Sequence, residues 1–233
     1  MDILNNIKKP KVFIQIGTNT GDDNFRKLVF KHKPQKVILV EPNKQLINTI
    51  KKNYMFATNF CNINIINKVI HTEDNKEHTL FIPAKDGIYG QPGVQPERKQ
   101  GNYTYRHSHF SLLPMNDWGE KKHMIEMKCN NSITFNTLCS NFNIKEIDYL
   151  QIDTEGFDSE IIKSIDFNKH KIQVLRYEKW DFGTECFSKY HDNDKHKYGK
   201  NGMNAVKCEL SNYTLTDIKD RDGNDILAVR NIN

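Results

Sequence analysis

Val12-Phe13-Ile14-Gln15-Ile16-Gly17-Thr18-Asn19-Thr20-Gly21-Asp22-Asp23 decides how the chain is to be read. An apolar run halts at a glycine, a second glycine follows four residues on, and a helical pattern starts at once. That is a buried strand turning sharply into a helix, with bare backbone where a nucleotide-like ligand can approach. Lys36-Val37-Ile38-Leu39-Val40-Glu41 reads as a second strand. Its closing carboxylate falls about 20 residues beyond the glycines, where folds of this kind grip a ribose. Together the two segments predict an adenosine-containing ligand.

The charges choose among such ligands. Dinucleotide sites favour G-x-G-x-x-G and seat a pyrophosphate on the helix N-terminus. Here the spacing is Gly17-x-x-x-Gly21, and Asp22 and Asp23 open the helix. Two carboxylates there suit the helix dipole and repel a pyrophosphate, and the competing reading is that both merely cap the helix. S-adenosylmethionine, with an adenosine, a cationic sulfonium and no phosphate, suits the arrangement better. An NAD-dependent oxidoreductase is the weaker alternative.

A chain of 233 residues can bury the core of one sizeable α/β domain, and no linker divides it, so residues 1–233 are read as a single domain. The formal charge is +5, with lysines scattered among acids, which predicts a solvated surface rather than a nucleic-acid partner. Cys61, Cys129, Cys139, Cys186 and Cys208 are odd in number and lack C-x-x-C pairs. They argue against a disulfide framework or zinc site and for a reducing, cytoplasmic setting. The first residues show no signal-peptide pattern and no run reaches membrane-spanning length, so no membrane partner is expected.

Strand and helix patterns alternate as in a parallel sheet. Helices are expected over about 22–32, 43–57 and 134–142 and after Gly156. Further strands are expected at 64–71, 77–82, 124–129, 147–152 and 172–178, with a closing antiparallel pair around Val206–Leu210 and Asp225–Arg230. From about 83 to 111 glycine and proline replace periodic apolars, which predicts a lid or substrate loop. Tyr105, His107 and His109 are its candidate acceptor-binding groups. Ligands of open α/β sheets sit outside the carboxyl ends of the strands. Gly17, Thr18 and Asn19, then Glu41 and Asn43, then Asp153 and Glu155, then Glu178 all fall at such ends.

These motifs resemble the FkbM-type family of S-adenosylmethionine-dependent methyltransferases. Ile16-Gly17-Thr18-Asn19-Thr20-Gly21 is similar to its strand and G-A-N-x-G turn, and Glu41-Pro42-Asn43 to its E-P-N. Gln151-Ile152-Asp153-Thr154-Glu155-Gly156-Phe157-Asp158, preceded by Thr134-Phe135-Asn136-Thr137-Leu138, resembles its K-I-D-x-E-G segment and the helix start before it. Gln151 stands where the family usually has lysine, and Asn136 where it commonly has aspartate.

The resemblance implies a Rossmann-like class I methyltransferase fold. Its marks are a mostly parallel seven-stranded sheet, helices on both faces and a C-terminal antiparallel strand pair. It also implies methyl transfer to a hydroxyl of a sugar, glycan or other small acceptor. Gly17, Gly21, Thr18 and Asn19 would then meet the methionine part of the cofactor, Glu41 its ribose, Asn43 the adenosine, and Lys68 and Val69 the adenine. Asp153 would face both cofactor and acceptor as the favoured base, with Glu155 and Glu178 as further catalytic carboxylates. Glu155 has an equal claim to a structural role, bonding backbone amides of the turn. The three acids could also hold Mg²⁺, although hydrogen bonding without a metal is the preferred reading. A catalytically silent module on the same fold is the competing interpretation.

Overall fold

A computed structural model describes residues 9–83, 112, 124–129, 131–178, 205–220 and 223–231. In chain order they form β1 (Val12–Ile16), α1 (Asn24–His32), β2 (Lys36–Val40), α2 (Ile47–Tyr54), β3 (Asn62–Ile66), β4 (Val69–Ile70) and β5 (His78–Pro83). Then follow β6 (Met124–Cys129), β7 (Ser132–Ile133), α3 (Phe135–Asn141), β8 (Glu146–Ile152), α4 (Asp158–Ser164), β9 (Lys171–Glu178), β10 (Tyr213–Asp220) and β11 (Gly223–Arg230). The expected loop at 83–111, with Tyr105, His107 and His109, lies outside the described residues apart from its first position.

Seven strands make the main sheet, in the order β10-β11-β9-β8-β1-β2-β3. β3, β2, β1, β8 and β9 run parallel, with Ile14 beside Ile38 on one side and Leu150 on the other. β11 runs antiparallel to both of its neighbours. The inner strands are apolar almost throughout because helices cover both faces. On one face Ile14, Ile38, Leu150 and Leu175 pack against Phe135 and Leu138 of α3 and Ile161 and Ile162 of α4. On the other, Phe13, Val37, Leu39 and Tyr149 meet Phe25, Leu28 and Val29 of α1 and Ile50 and Tyr54 of α2. Two small ladders, β4 with β7 and β5 with β6, stand apart from the main sheet.

Three expectations need correction. Residues 205–209 are helical, not a strand, and the closing strand pair is β10 with β11. Val206 and Leu210 are both buried while residues 207–209 between them are exposed, which is a helical spacing. The expected strand at 64–71 is two strands, because the chain turns at Asn67, whose amide donates to the carbonyls of Glu41 and Pro42 at 2.8 and 2.9 Å. The helix at 43–57 is a 3₁₀ turn over Lys44–Leu46, then α2, then a second 3₁₀ stretch over Met55–Asn59.

Candidate active site

β1 pairs with β2 on one side and β8 on the other, so the loops leaving β1 and β8 diverge and open a crevice at the strand ends. Its walls include Gly17, Asn19, Glu41, Lys68, Val69 and Asp153, with Leu80, Leu112 and Glu155 farther round. Thr18, Gly21 and Asn43 do not line it.

The loop after β1 is left-handed at Gly17, Asn19 and Gly21, with φ of 78°, 54° and 69°. Gly17 has a second reason to be glycine. A Cβ there would lie 1.7 Å from the carbonyl oxygen of Asp153, so β1 and β8 meet where no side chain fits. A Cβ on Gly21 would lie 2.9 Å from the Tyr54 ring. Asp23 caps α1 by accepting from the Arg26 amide at 3.0 Å, and also accepts from the Gln15 side chain at 2.5 Å. Asp22 pairs with the Arg26 guanidinium at 2.8 Å.

Glu41 is buried, and each of its oxygens accepts a backbone N–H, Asn19 at 2.7 Å and Asn43 at 2.8 Å. Burial still pushes its pKa up to about 7, the two amides opposing the rise. A carboxylate so held keeps further lone pairs for hydroxyl donors. The buried Thr18 hydroxyl and the Asn43 amide nitrogen have no hydrogen-bond partner among the described residues. A glycine cradle, a buried carboxylate and unmatched polar atoms around one loop fit an adenosyl ligand that brings hydroxyl, amine and carboxylate groups.

Asp153 follows β8, and its amide donates to the carbonyl of Ile16 at 3.0 Å. Enclosure by protein, then the carboxylates of Glu178, Glu155, Asp158 and Asp225, hold its pKa well above the ordinary carboxylate range. Its side chain opens onto the crevice, so with water at hand the four charges are the firmer cause. Glu155 occupies a left-handed position at φ 53° in the turn.

The amides of this region go to a residue that the sequence reading left unassigned. Asp158, fully buried at the start of α4, accepts from the Thr154 amide at 2.9 Å, the Thr154 hydroxyl at 2.5 Å and the Glu178 amide at 3.1 Å. It thereby ties the turn after β8 to the end of β9. Burial lifts its pKa to about 6 against these three donors. Its signal in the sequence is an acid in the first helical turn just after Glu155-Gly156-Phe157.

Asn136 also has a definite task. Its amide nitrogen donates to the Ser164 carbonyl at 3.0 Å and its oxygen accepts from the Asp166 amide at 3.2 Å. An aspartate could do only the second. Among the described residues, no group of three or more His, Cys, Asp or Glu side chains is placed to hold a metal ion.

A doubly wound sheet ordered in this way, with its crevice beside a glycine turn and a ribose-type acid, defines a class I methyltransferase fold. Residues 15–198 match the family described as the methyltransferase FkbM domain, and the chain belongs to that family of S-adenosylmethionine-dependent methyltransferases.

Among solved structures, the ribosomal protein L11 methylase of Lactobacillus delbrueckii subsp. bulgaricus is 8% identical, with a TM-score of 0.43 over 98% of this chain and 74% of its own. TrmK of M. capricolum, solved with S-adenosyl-homocysteine, is 13% identical, with a TM-score of 0.40 over 98% and 66%. The fibrillarin pre-rRNA processing protein of Methanococcus jannaschii is 8% identical, with a TM-score of 0.46 over 96% and 68%. No curated protein matches the chain.

Proposed function

We propose that the chain is an O-methyltransferase acting on a hydroxyl of a sugar or glycan, with S-adenosylmethionine as donor. The observation that carries this reading is Asp153, a carboxylate lining the crevice beside the glycine turn, its pKa raised by burial and by neighbouring acids. The bound cofactor supplies an activated methyl group. Gly17 and Asn19 give the loop its close backbone approach, and Glu41 accepts from the ribose hydroxyls. With the cofactor bound, Asp153 would take the proton of the acceptor hydroxyl as the C–O bond forms and the methyl–sulfur bond breaks to release S-adenosylhomocysteine, while Glu178 or Glu155 would accept from a neighbouring hydroxyl of the diol. General-base assistance of this kind is worth about 10²–10⁴ in rate.

The test is to incubate the protein with S-adenosylmethionine and a panel of sugars, amines and RNA, following S-adenosylhomocysteine release. Transfer to sugar hydroxyls, reduced about 100-fold or more by Asp153→Asn while S-adenosylhomocysteine affinity changes far less, is the expected result. Transfer to amines alone, or an active Asp153→Asn variant, would sink the reading. Cofactor binding without transfer to any acceptor would favour a silent module.

A further inference from the structure

The lysines are less evenly interspersed than the linear sequence suggests. Between residues 24 and 61 the one acid is Glu41, and it is buried inside the protein. Lys27, Lys31, Lys33, Lys44, Lys51 and Lys52 of the same stretch are exposed. α1 and α2 cover the same face of the sheet, so these lysines lie on one side of the molecule, with Asp22, paired to Arg26, the exposed acid at its border. On it stand two exposed apolar side chains, Met55 at 55% and Phe56 at 64%, in the 3₁₀ stretch after α2.

Close contacts knit the residues flanking that stretch to α1. Arg26 donates to the Asn53 carbonyl at 2.9 Å and lies over the Phe30 ring at 5.3 Å. Phe30 meets Phe60 edge-on at 5.7 Å, and Lys33 lies over Phe60 at 5.6 Å. Met55 and Phe56 thus follow closely on the exposed Lys51 and Lys52, in the part of the chain whose neighbour Phe60 lies under Lys33.

We propose that this face docks the protein onto an anionic membrane surface, with Met55 and Phe56 entering the boundary between headgroups and acyl chains. A basic patch alone or an apolar contact alone binds lipid weakly, and the two together suffice for reversible docking. Lysine stems extend along apolar surroundings while their charged ends reach the headgroups. A single-stranded nucleic acid would use the lysines and stack on Phe56, but it gives Met55 no apolar layer to enter, which favours lipid. No helix among the described residues is long and apolar enough to cross a membrane, and docking of this kind needs none.

Flotation with phosphatidylcholine vesicles, with and without phosphatidylglycerol, at low and high salt, tests the proposal. The protein should bind the mixed vesicles at low salt and leave the neutral ones. Each lysine near an anionic surface is worth about fivefold in affinity, so Lys51→Glu with Lys52→Glu should weaken binding about 25-fold or more. Met55→Ser with Phe56→Ser should weaken it about tenfold or more. Both variants should keep the melting temperature and the S-adenosylhomocysteine affinity, because none of these side chains packs in the core or the crevice. Absence of vesicle binding, indifference to Met55→Ser/Phe56→Ser, or equally tight binding to a short RNA would overturn the proposal.

Discussion

Gly17 concentrates the constraints of the site in one residue. Its left-handed backbone and the Asp153 carbonyl 1.7 Å from any Cβ exclude alanine twice over. Gly17→Ala should cost about 2 kcal/mol or more in urea unfolding and abolish S-adenosylhomocysteine binding in calorimetry. Glu41 makes a prediction about pH. Its folded pKa, near 7, lies above its ordinary 4.5, so the folded state holds the extra proton between those values. Glu41 therefore contributes most stability below pH 4.5, and that contribution is lost as pH rises through 7. Cofactor affinity should run the opposite way if the ionised form grips the ribose, weakening by up to about tenfold per unit below pH 7. Calorimetry across that range with Glu41→Gln as control checks this, and an equal slope in the variant would remove Glu41 as the cause. These residues were legible in the sequence because a glycine after a buried strand and an acid ending the next are local signals. The reason Gly17 tolerates no methyl group was not legible, since the obstructing carbonyl belongs to residue 153.

At the scale of elements, two side chains hold the turn after β8 and the approach to β9. Asp158→Ala would leave the Thr154 and Glu178 amides without their acceptor. It should cost about 2–4 kcal/mol in urea unfolding, with a larger loss of turnover than of cofactor affinity. Asn136→Asp, which restores the residue common in the family, should destabilise the protein by about 1–2 kcal/mol, because the Ser164 carbonyl loses its donor. A variant as stable as wild type would show that bond to be dispensable. Most strands and helices were legible from apolar period and turn residues. The segment at 205–209 was misread because a short run with β-branched Val206 satisfies both periods until burial decides between them. The division of β3 from β4 depends on Asn67 reaching carbonyls more than twenty positions earlier in the chain, a contact no local pattern announces. Asp158 was visible as an acid, but its purpose rests on an amide donated by Glu178.

For the whole molecule, the parallel arrangement followed from alternating strands and helices, whereas the neighbour relations at the C-terminal side did not. The sequence predicts an antiparallel pair without saying which member touches β9, and it is the later one. β10 reaches the sheet only through β11. Deleting residues 223–231 should therefore detach β10 as well as β11, and urea unfolding should lose its single cooperative transition. A sharp transition in the truncated protein would show that β10 can be seated without its partner. The chemical order of synthesis gives this arrangement a further consequence. While the polypeptide emerges from the ribosome, β9 keeps a bare edge and β10 has no place to join until residues 223–230 have cleared the exit tunnel. Chains stalled before that point would offer the β9 edge to one another, a route to association by strand pairing that the finished sheet closes.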